Sequence, residues 1–539
     1  MALTAHARYL PPRYEDDVGE PVKRSLDGKR LPSPRKISNK IFVARNDETP
    51  SDRFASLMFF AFGQFLDHDL TFTQGSLGKN NKPLDCCGVD KFNEECFPIK
   101  IPIRDSYFSN QRCMDFARSA PAPPDDGCHM ETREQLNLLS SFIDAGQVYG
   151  NSAKIHKKLV SKKDKSKLRT FSKDLLPAGG DCVLKSSRDF CQLGGDERVN
   201  EVPSLGGLHI LFVRVHNHIA KILRLKTRWS SEKIFQETRK IIGAIMQHIT
   251  YNEFLPKLLG GRALKKYGLK SKRKRFFRGY NARVNPQMRN VVVTAALRFG
   301  HSMIPGKLGL MLHNFVTGRE IALEDTLLDP NMLVSNLGKN IPDLIRYLVM
   351  SPASQIDTEV EDSVRNKLFI DDAGLSFDLM SLNIQRSRDH GLRSYNEWRR
   401  FCGLQPARSF SDLKDHSPEM IAKFRSVYNS VHDLEVFVGG ITERPRHGSM
   451  LGPLFTCLLG QQFRDLKYGD RYWYERREPE GFSAHQLDAI RKVKMSWLIC
   501  KLMKLDQIQK HVFILPSPQN PIVDCSSIPQ LDLSPWIHY

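Results

Sequence analysis

Apolar positions along this chain recur mostly at three- and four-residue spacing, the period of an α-helix that turns one face to a core. From Arg53 to Leu66 the pattern runs through Leu57, Phe60, Ala61 and Phe65, with Ser51 placed to cap the first turn. Longer helical patterns occupy Leu205 to Leu225, Glu232 to Leu259, Val291 to His301 and Ala484 to Lys504. Several of these are apolar on most sides, as helices buried in a large core are. Stretches bearing Pro and Gly at Pro121 to Gly127, Pro177 to Gly180 and Arg444 to Gly452 read as loops. Strand-like alternation is scarce and no repeat of fixed period appears. The pattern predicts a mainly α architecture. No long Gly/Ser- or Pro-rich linker divides residues 1–539, which read as one folded unit.

Composition adds three constraints. With 40% hydrophobic and 26% charged residues the chain can bury a sizeable core. No apolar run approaches the roughly 18 residues a membrane-spanning helix needs. The net charge of +20 concentrates at Lys154 to Arg169 and Lys265 to Arg278, the latter holding Lys272, Arg273, Lys274 and Arg275. Such runs are either solvated faces or contacts for heparin-like or nucleic-acid polyanions; no recognised nucleic-acid module accompanies them, although Phe276 and Phe277 adjoin the second.

Eleven cysteines argue for an oxidising compartment. Cys86, Cys87, Cys96 and Cys113 fall close together, and Cys182 with Cys191, Cys402 with Cys457, and Cys500 with Cys525 form pairs by proximity or order. Cys128 is left over, as a buried thiol, a partner in another pairing scheme or half of an interchain bond. Met1 to Leu10 lacks the cationic and apolar regions of a secretory signal, and no Asn-x-Ser/Thr sequon occurs. Cysteine content without a signal suggests a truncated start.

Five segments carry candidate chemistry. In "FGQFLDHDLTFT", Gln64 and His68 are four apart and share a helix face, while Asp67 and Asp69 flank the histidine at a helix end, where a hard cation is one explanation. In "LLSSFIDAGQVYGNS", Ser140, Phe142 and Asp144 alternate, so an extended loop offers a hydroxyl, a carbonyl and a carboxylate on one side. In "GDERVNEVPSLGGLHILFVRVHNHIAKIL", Arg198 and Glu201 precede a long helix. "LRFGHSMIP" holds Arg298 and His301, and "SLNIQRSRDHGLRSYNEWRRFCGL" holds Asn383 and Arg386. Each alone also fits ordinary structural roles.

Taken in order, these segments resemble the signature of the animal-type haem peroxidases, the group containing myeloperoxidase, lactoperoxidase, thyroid peroxidase and peroxidasin. The resemblance runs from about Tyr9 to Trp536, and "RSAPAPPDDGCHMETREQLN" is more similar to invertebrate members of the peroxinectin and chorion-peroxidase types. It implies the myeloperoxidase-like fold, a buried haem b, hydrogen peroxide as oxidant, phenolic, halide or thiocyanate donors, and secretion. It gives His68 the distal proton-transfer role, with Gln64 and Arg198 beside it, and makes His301 the iron ligand with Asn383 accepting its other ring proton. Asp67 and Glu201 correspond to carboxylates ester-bonded to the haem, and Arg298 and Arg386 to residues near the propionates. Asp69, Ser140, Phe142 and Asp144 correspond to a calcium site. Two departures stand out: Gly146 replaces the usual hydroxyl ligand, and Val202 stands where myeloperoxidase has a haem-linked methionine, so no sulfonium link can form there. Two other readings compete. One is a cyclooxygenase-like fatty-acid dioxygenase, disfavoured by Asp67 and Glu201. The other is an adhesive matrix protein with a secondary or inactive peroxidase domain, for which neither Arg-Gly-Asp nor Lys-Gly-Asp is present.

Overall fold

The computed structural model describes every residue except Met1, 45–48, 124–131, 185–188, 272–274, 372, 479 and 538–539. Cys128 and Lys272 to Lys274 therefore lie outside the described residues, as does part of the Pro121 to Gly127 loop. The architecture is mainly α; the strands form five separate two-stranded antiparallel ladders among the described residues. One continuous cluster of buried apolar side chains extends from Ile37 to Trp536, with a small satellite around Ile99, Phe108 and Phe116.

The first site-bearing helix spans Leu57–Leu70 and is buried nearly all round. It starts later than its apolar pattern suggests. Ser51–Ser56 is a strand paired with Pro352–Ser354, and the Asp52 carboxylate accepts the amides of Phe54 and Ala55, diverting them from a helical turn. Ser51 therefore caps nothing. Phe59 and Phe62 pack with Phe254 and Phe513, and Phe65 stacks on Phe212 of the long helix Pro203–Lys226.

Two other expected helices are interrupted where they matter. The Glu232 to Leu259 pattern is a helix over Ser231–Ile249, a π-turn over Thr250–Phe254 and a further helix over Leu255–Lys266. Ala484 to Lys504 breaks into Ala484–Arg491 and Met495–Met503, and the buried carboxylate of Glu253 in the π-turn accepts the Met495 amide. Val291 to His301 is not an α-helix: Val292–Ala296 is a π-turn and Leu297–Met303 a 3₁₀ helix. Four β-branched residues in a row, Val291 to Thr294, disfavour regular α geometry. In the 3₁₀ segment residues three apart eclipse, so Arg298 and His301 share one side.

Five disulfides pin the periphery: Cys86–Cys96, Cys87–Cys113, Cys182–Cys191, Cys402–Cys457 and Cys500–Cys525. The last three match the expected pairs, and the first two resolve the clustered four.

Helix Leu379–Asp389, which carries Asn383, is fixed at its start by a buried charge network. Asp378 caps the amides of Met380 and Ser381, and its other oxygen takes Arg35 at 2.7 Å. Arg35 is fully buried and also binds Asp105 and Asn366. Removing the guanidinium would leave two carboxylates buried without their counter-charge. Arg35→Ala is expected to cost about 3–5 kcal/mol, read as a lowered denaturant midpoint.

Candidate active site

The Leu57–Leu70 helix, the turn Glu197–Asn200 and the 3₁₀ segment Leu297–Met303 converge on one cavity of about 360 Å³. Gln64, Asp67 and His68 line it together with Arg198, Glu201 and Val202; Arg298 and His301 line it from another chain segment. Two wider surface clefts, of about 1000 and 1290 Å³, contain neither imidazole. Spacing four apart does place Gln64 and His68 together. Gln64 Nε2 donates to Glu201 Oε2 at 3.3 Å, and His68 Nε2 lies 3.7 Å from the same oxygen.

Burial keeps both imidazoles neutral. The His68 pKa is held well below 6.5, first by desolvation and then by Arg198. His301 is pushed down to about 3 by desolvation, with Arg298 adding to the effect. Carboxylates respond in the opposite sense: burial raises Asp67 to about 6 and raises Glu201, whose side chain remains about a third exposed.

One functional residue escaped the sequence reading. Asp196 grips Arg198 with both oxygens, Oδ1 to Nε and Oδ2 to Nη2, each at 2.8 Å, while Nη2 also donates to the Thr71 carbonyl and the guanidinium lies over Phe72. Asp196 stays ionised, its burial outweighed by Arg198. Its Oδ1 also sits 3.7 Å from His68 Nδ1, an atom with no hydrogen-bond partner. A fixed negative charge there favours the ring proton on Nδ1 and leaves Nε2 bare on the Gln64 and Glu201 side. The only available signal was its place two residues before Arg198.

His301 meets its expected partner, with one reversal. Asn383 Nδ2 faces His301 Nδ1 at 2.9 Å, and Asn383 Oδ1 accepts from Arg298 Nη1 at 2.6 Å. The amide thus donates to the ring instead of accepting, because its oxygen is already taken by the arginine. Arg298 reaches the cavity as expected. Arg386 does not line it: its Nη1 is spent on Ala117 O, Ser119 Oγ and Asp389 Oδ2, each at 3.0 Å, and its guanidinium stacks on Phe116.

At the end of the Leu57–Leu70 helix, Asp69 is fully buried and accepts the amides of Ala145 and Gly146. Desolvation and the neighbouring Asp144 hold its carboxyl well above the usual range, and Asp144 is raised by burial too. Ser140 Oγ, Asp144 Oδ1 and Asn151 Nδ2 are buried without partners. A side chain on Gly146 would put its Cβ 3.0 Å from both amide atoms of Asn151 and 3.3 Å from Asp144 Oδ1, so Asn151 occupies the space that Gly146 leaves. Among the described residues no group of three or more His, Cys, Asp or Glu side chains forms a metal cluster.

A mainly helical protein with two neutral imidazoles lining one cavity, a locked arginine on one side and an amide-backed histidine on the other, has the layout of a haem enzyme. The comparisons agree: residues 1–513 match the animal haem peroxidase family model, and the chain belongs to that family. Human eosinophil peroxidase is 35% identical over 561 residues, covering 99% of this chain and 76% of that protein. A Drosophila melanogaster peroxidase is 32% identical over 563 residues, covering 100% of this chain and 80% of that one. Among solved structures, peroxidase A from Dictyostelium discoideum aligns with a TM-score of 0.78 at 28% identity, covering 95% of each chain. A rice fatty acid alpha-dioxygenase aligns at 0.73 with 17% identity, covering 95% of this chain and 84% of that one, a likeness of fold alone. The protein is a haem-dependent oxidoreductase acting on peroxide.

Asp196→Asn removes the charge that locks Arg198 and biases the His68 tautomer. The rate constant for peroxide consumption is expected to fall roughly ten- to hundredfold at unchanged haem content.

Proposed function

We propose that His68 relays the proton of peroxide, that Arg198 stabilises charge on the departing oxygen, and that His301 holds the haem iron. The observation that carries this reading is the single cavity lined by both histidines, with Asp196 fixing one face and Asn383 backing the other. The cavity residues fit the group. Apolar walls suit a porphyrin, Gln64 Oε1 is buried without a partner, and a neutral His301 can offer a lone pair to a metal. When bound, haem supplies the iron at which the peroxide bond breaks.

The remaining chemistry belongs to the chain. His68 Nε2, bare and neutral, takes a proton from one peroxide oxygen and returns it to the other. Arg198 is already oriented by Asp196 and offers positive charge without reorganising. His301 can present Nε2 to iron only with its own proton on Nδ1, which requires the Asn383 amide to turn its oxygen to the ring. That turn brings Nδ2 to Arg298, a donor facing a donor, so Arg298 must give up this contact. Asp67 and Glu201 line the cavity as the carboxylates for ester links, and Val202 offers no sulfur. Small phenols, halides or thiocyanate are the donors this reading supports. Five disulfides favour secretion, and no helix among the described residues is long and apolar enough to cross a membrane.

Haem-loaded protein should show a Soret band and consume peroxide with guaiacol or iodide; a Soret band without turnover would favour the adhesive reading. Because His68 stays neutral well below its ordinary value, the rate constant should remain flat from about pH 8 to roughly pH 6. A decline titrating near pH 6.5 would contradict the buried neutral base.

We further propose calcium between the Leu57–Leu70 helix end and the loop, held by Asp69, Ser140, the Phe142 carbonyl and Asp144, with the Asn151 amide replacing the ligand lost at Gly146. Two buried carboxylates that raise each other's proton affinity are relieved by a divalent cation. Asn151→Ala should weaken calcium affinity about tenfold, measured by calorimetry, and Gly146→Ser in that background should restore it. Chelation should lower peroxidase activity. Unchanged affinity in Asn151→Ala removes Asn151 alone, whereas absence of calcium from the parent protein removes the whole site.

A further inference from the structure

The groove of about 1290 Å³ shares no lining residue with the haem cavity, and its charge is one-sided. Lys162, Lys163 and Arg169 come from the loop after helix Ala153–Leu159, Lys221 from the helix Pro203–Lys226, Lys339 from a turn, and Lys501 and Lys504 from the end of Met495–Met503. These seven cations form no ion pair with a carboxylate among the described residues. Only two carboxylates line the groove. Of these, Asp164 is already engaged by Lys167 and Arg224, each at 3.3 Å.

The groove is built, not draped. Asn217 pins the basic loop by accepting the Leu168 amide at 2.9 Å and donating to the Leu168 carbonyl at 3.1 Å. Buried His216 holds the Ser166 carbonyl from the same helix. Arg214 donates to the carbonyls of Asp174 and Leu502, tying the end of Met495–Met503 to the helix Pro203–Lys226. The cationic heads are thus carried on fixed backbone, which lowers the ordering cost of binding a long anion.

We propose that this groove binds an extended sulfated polysaccharide. Like charges from segments more than 300 residues apart in sequence repel unless an anion lies among them, and seven cations carried on separate segments call for a chain with repeated anionic groups. Its lining contains no Phe, Tyr or Trp, so it has no platform on which bases could stack, which disfavours single-stranded nucleic acid. The Lys154 to Arg169 run therefore gains its ligand from residues that sequence does not place beside it.

The test uses haem-loaded full-length protein at about 0.15 M salt, with a heparin dodecasaccharide, its desulfated counterpart and an oligonucleotide of matched charge as probes. The sulfated chain should bind and the other two should compete at least tenfold less well. The double variant Lys221→Glu/Lys501→Glu should cut heparin affinity at least tenfold and reduce the salt slope by roughly one per lysine removed, with the Soret band and peroxide rate unchanged. Reversal at Lys265 and Lys266, in the other basic run, should have a smaller effect. Unaltered heparin affinity in the groove variant, equal loss in the Lys265/Lys266 control, or equal competition by the oligonucleotide each overturns the proposal. Lys162→Glu/Lys163→Glu repeats the test from the opposite wall should the first variant fail to fold.

Discussion

Desolvation around a single cavity is the constraint on which the rest of the site depends. Desolvation by the surrounding protein holds His68 and His301 well below the usual imidazole range, and the same surroundings lift Asp67 to about 6 and lower Arg298 to about 10. A proton relay and a metal ligand, the roles we propose for these two rings, both require a free lone pair. Burial supplies it twice, and the buried Asp196 then decides which His68 nitrogen carries the remaining proton.

Those surroundings are made by helices whose irregularities do the positioning. The π-turn at Thr250–Phe254 brings Phe254 to the cavity wall, and the 3₁₀ segment Leu297–Met303 puts Arg298 and His301 on one side. A regular α-helix over Val291 to His301 would set residues three apart about 60° out of line. Asn383 reaches His301 from a helix whose first turn is anchored by Asp378 and Arg35, so a buried ion network remote from the cavity decides where the proximal amide stands.

Much of this was legible in the chain, and the rest fails for identifiable reasons. Gln64 and His68 were readable because four-residue spacing on a helix is local geometry, and the three separate cysteine pairs because short or ordered separations constrain partners. The helix start at Leu57 was not, since the Ser51–Ser56 strand depends on Pro352–Ser354, far away in sequence. Arg386 is a long side chain near many acceptors, and position alone could not say that Asp389 and Ser119 would claim it. The Asn383 amide orientation turns on Arg298, a partner 85 positions off. Asn151 acquires meaning only once the loop has folded back over Gly146. Five segments read in order disclosed the family, but the contacts that tune each residue are tertiary.

Buried polar atoms without partners occur at both candidate sites as well as elsewhere in the core. Gln64 Oε1 lies at the cavity, while Ser140 Oγ, Asp144 Oδ1 and Asn151 Nδ2 lie at the loop beside Asp69. Each buried group without a partner costs about 1–3 kcal/mol, and a small core could not carry several at two adjoining places. This one can, because the aromatic cluster around Phe59, Phe62, Phe254 and Phe513 and the long helix Pro203–Lys226 belong to one large buried apolar core. The deficit is then recoverable by whatever satisfies those atoms, and a group that binds only the folded chain adds its binding free energy to stability. Asp69 adjoins His68 in sequence and accepts amides of the Asp144 loop, so the two deficits share one helix end. Satisfying one steadies the backbone from which the other is filled.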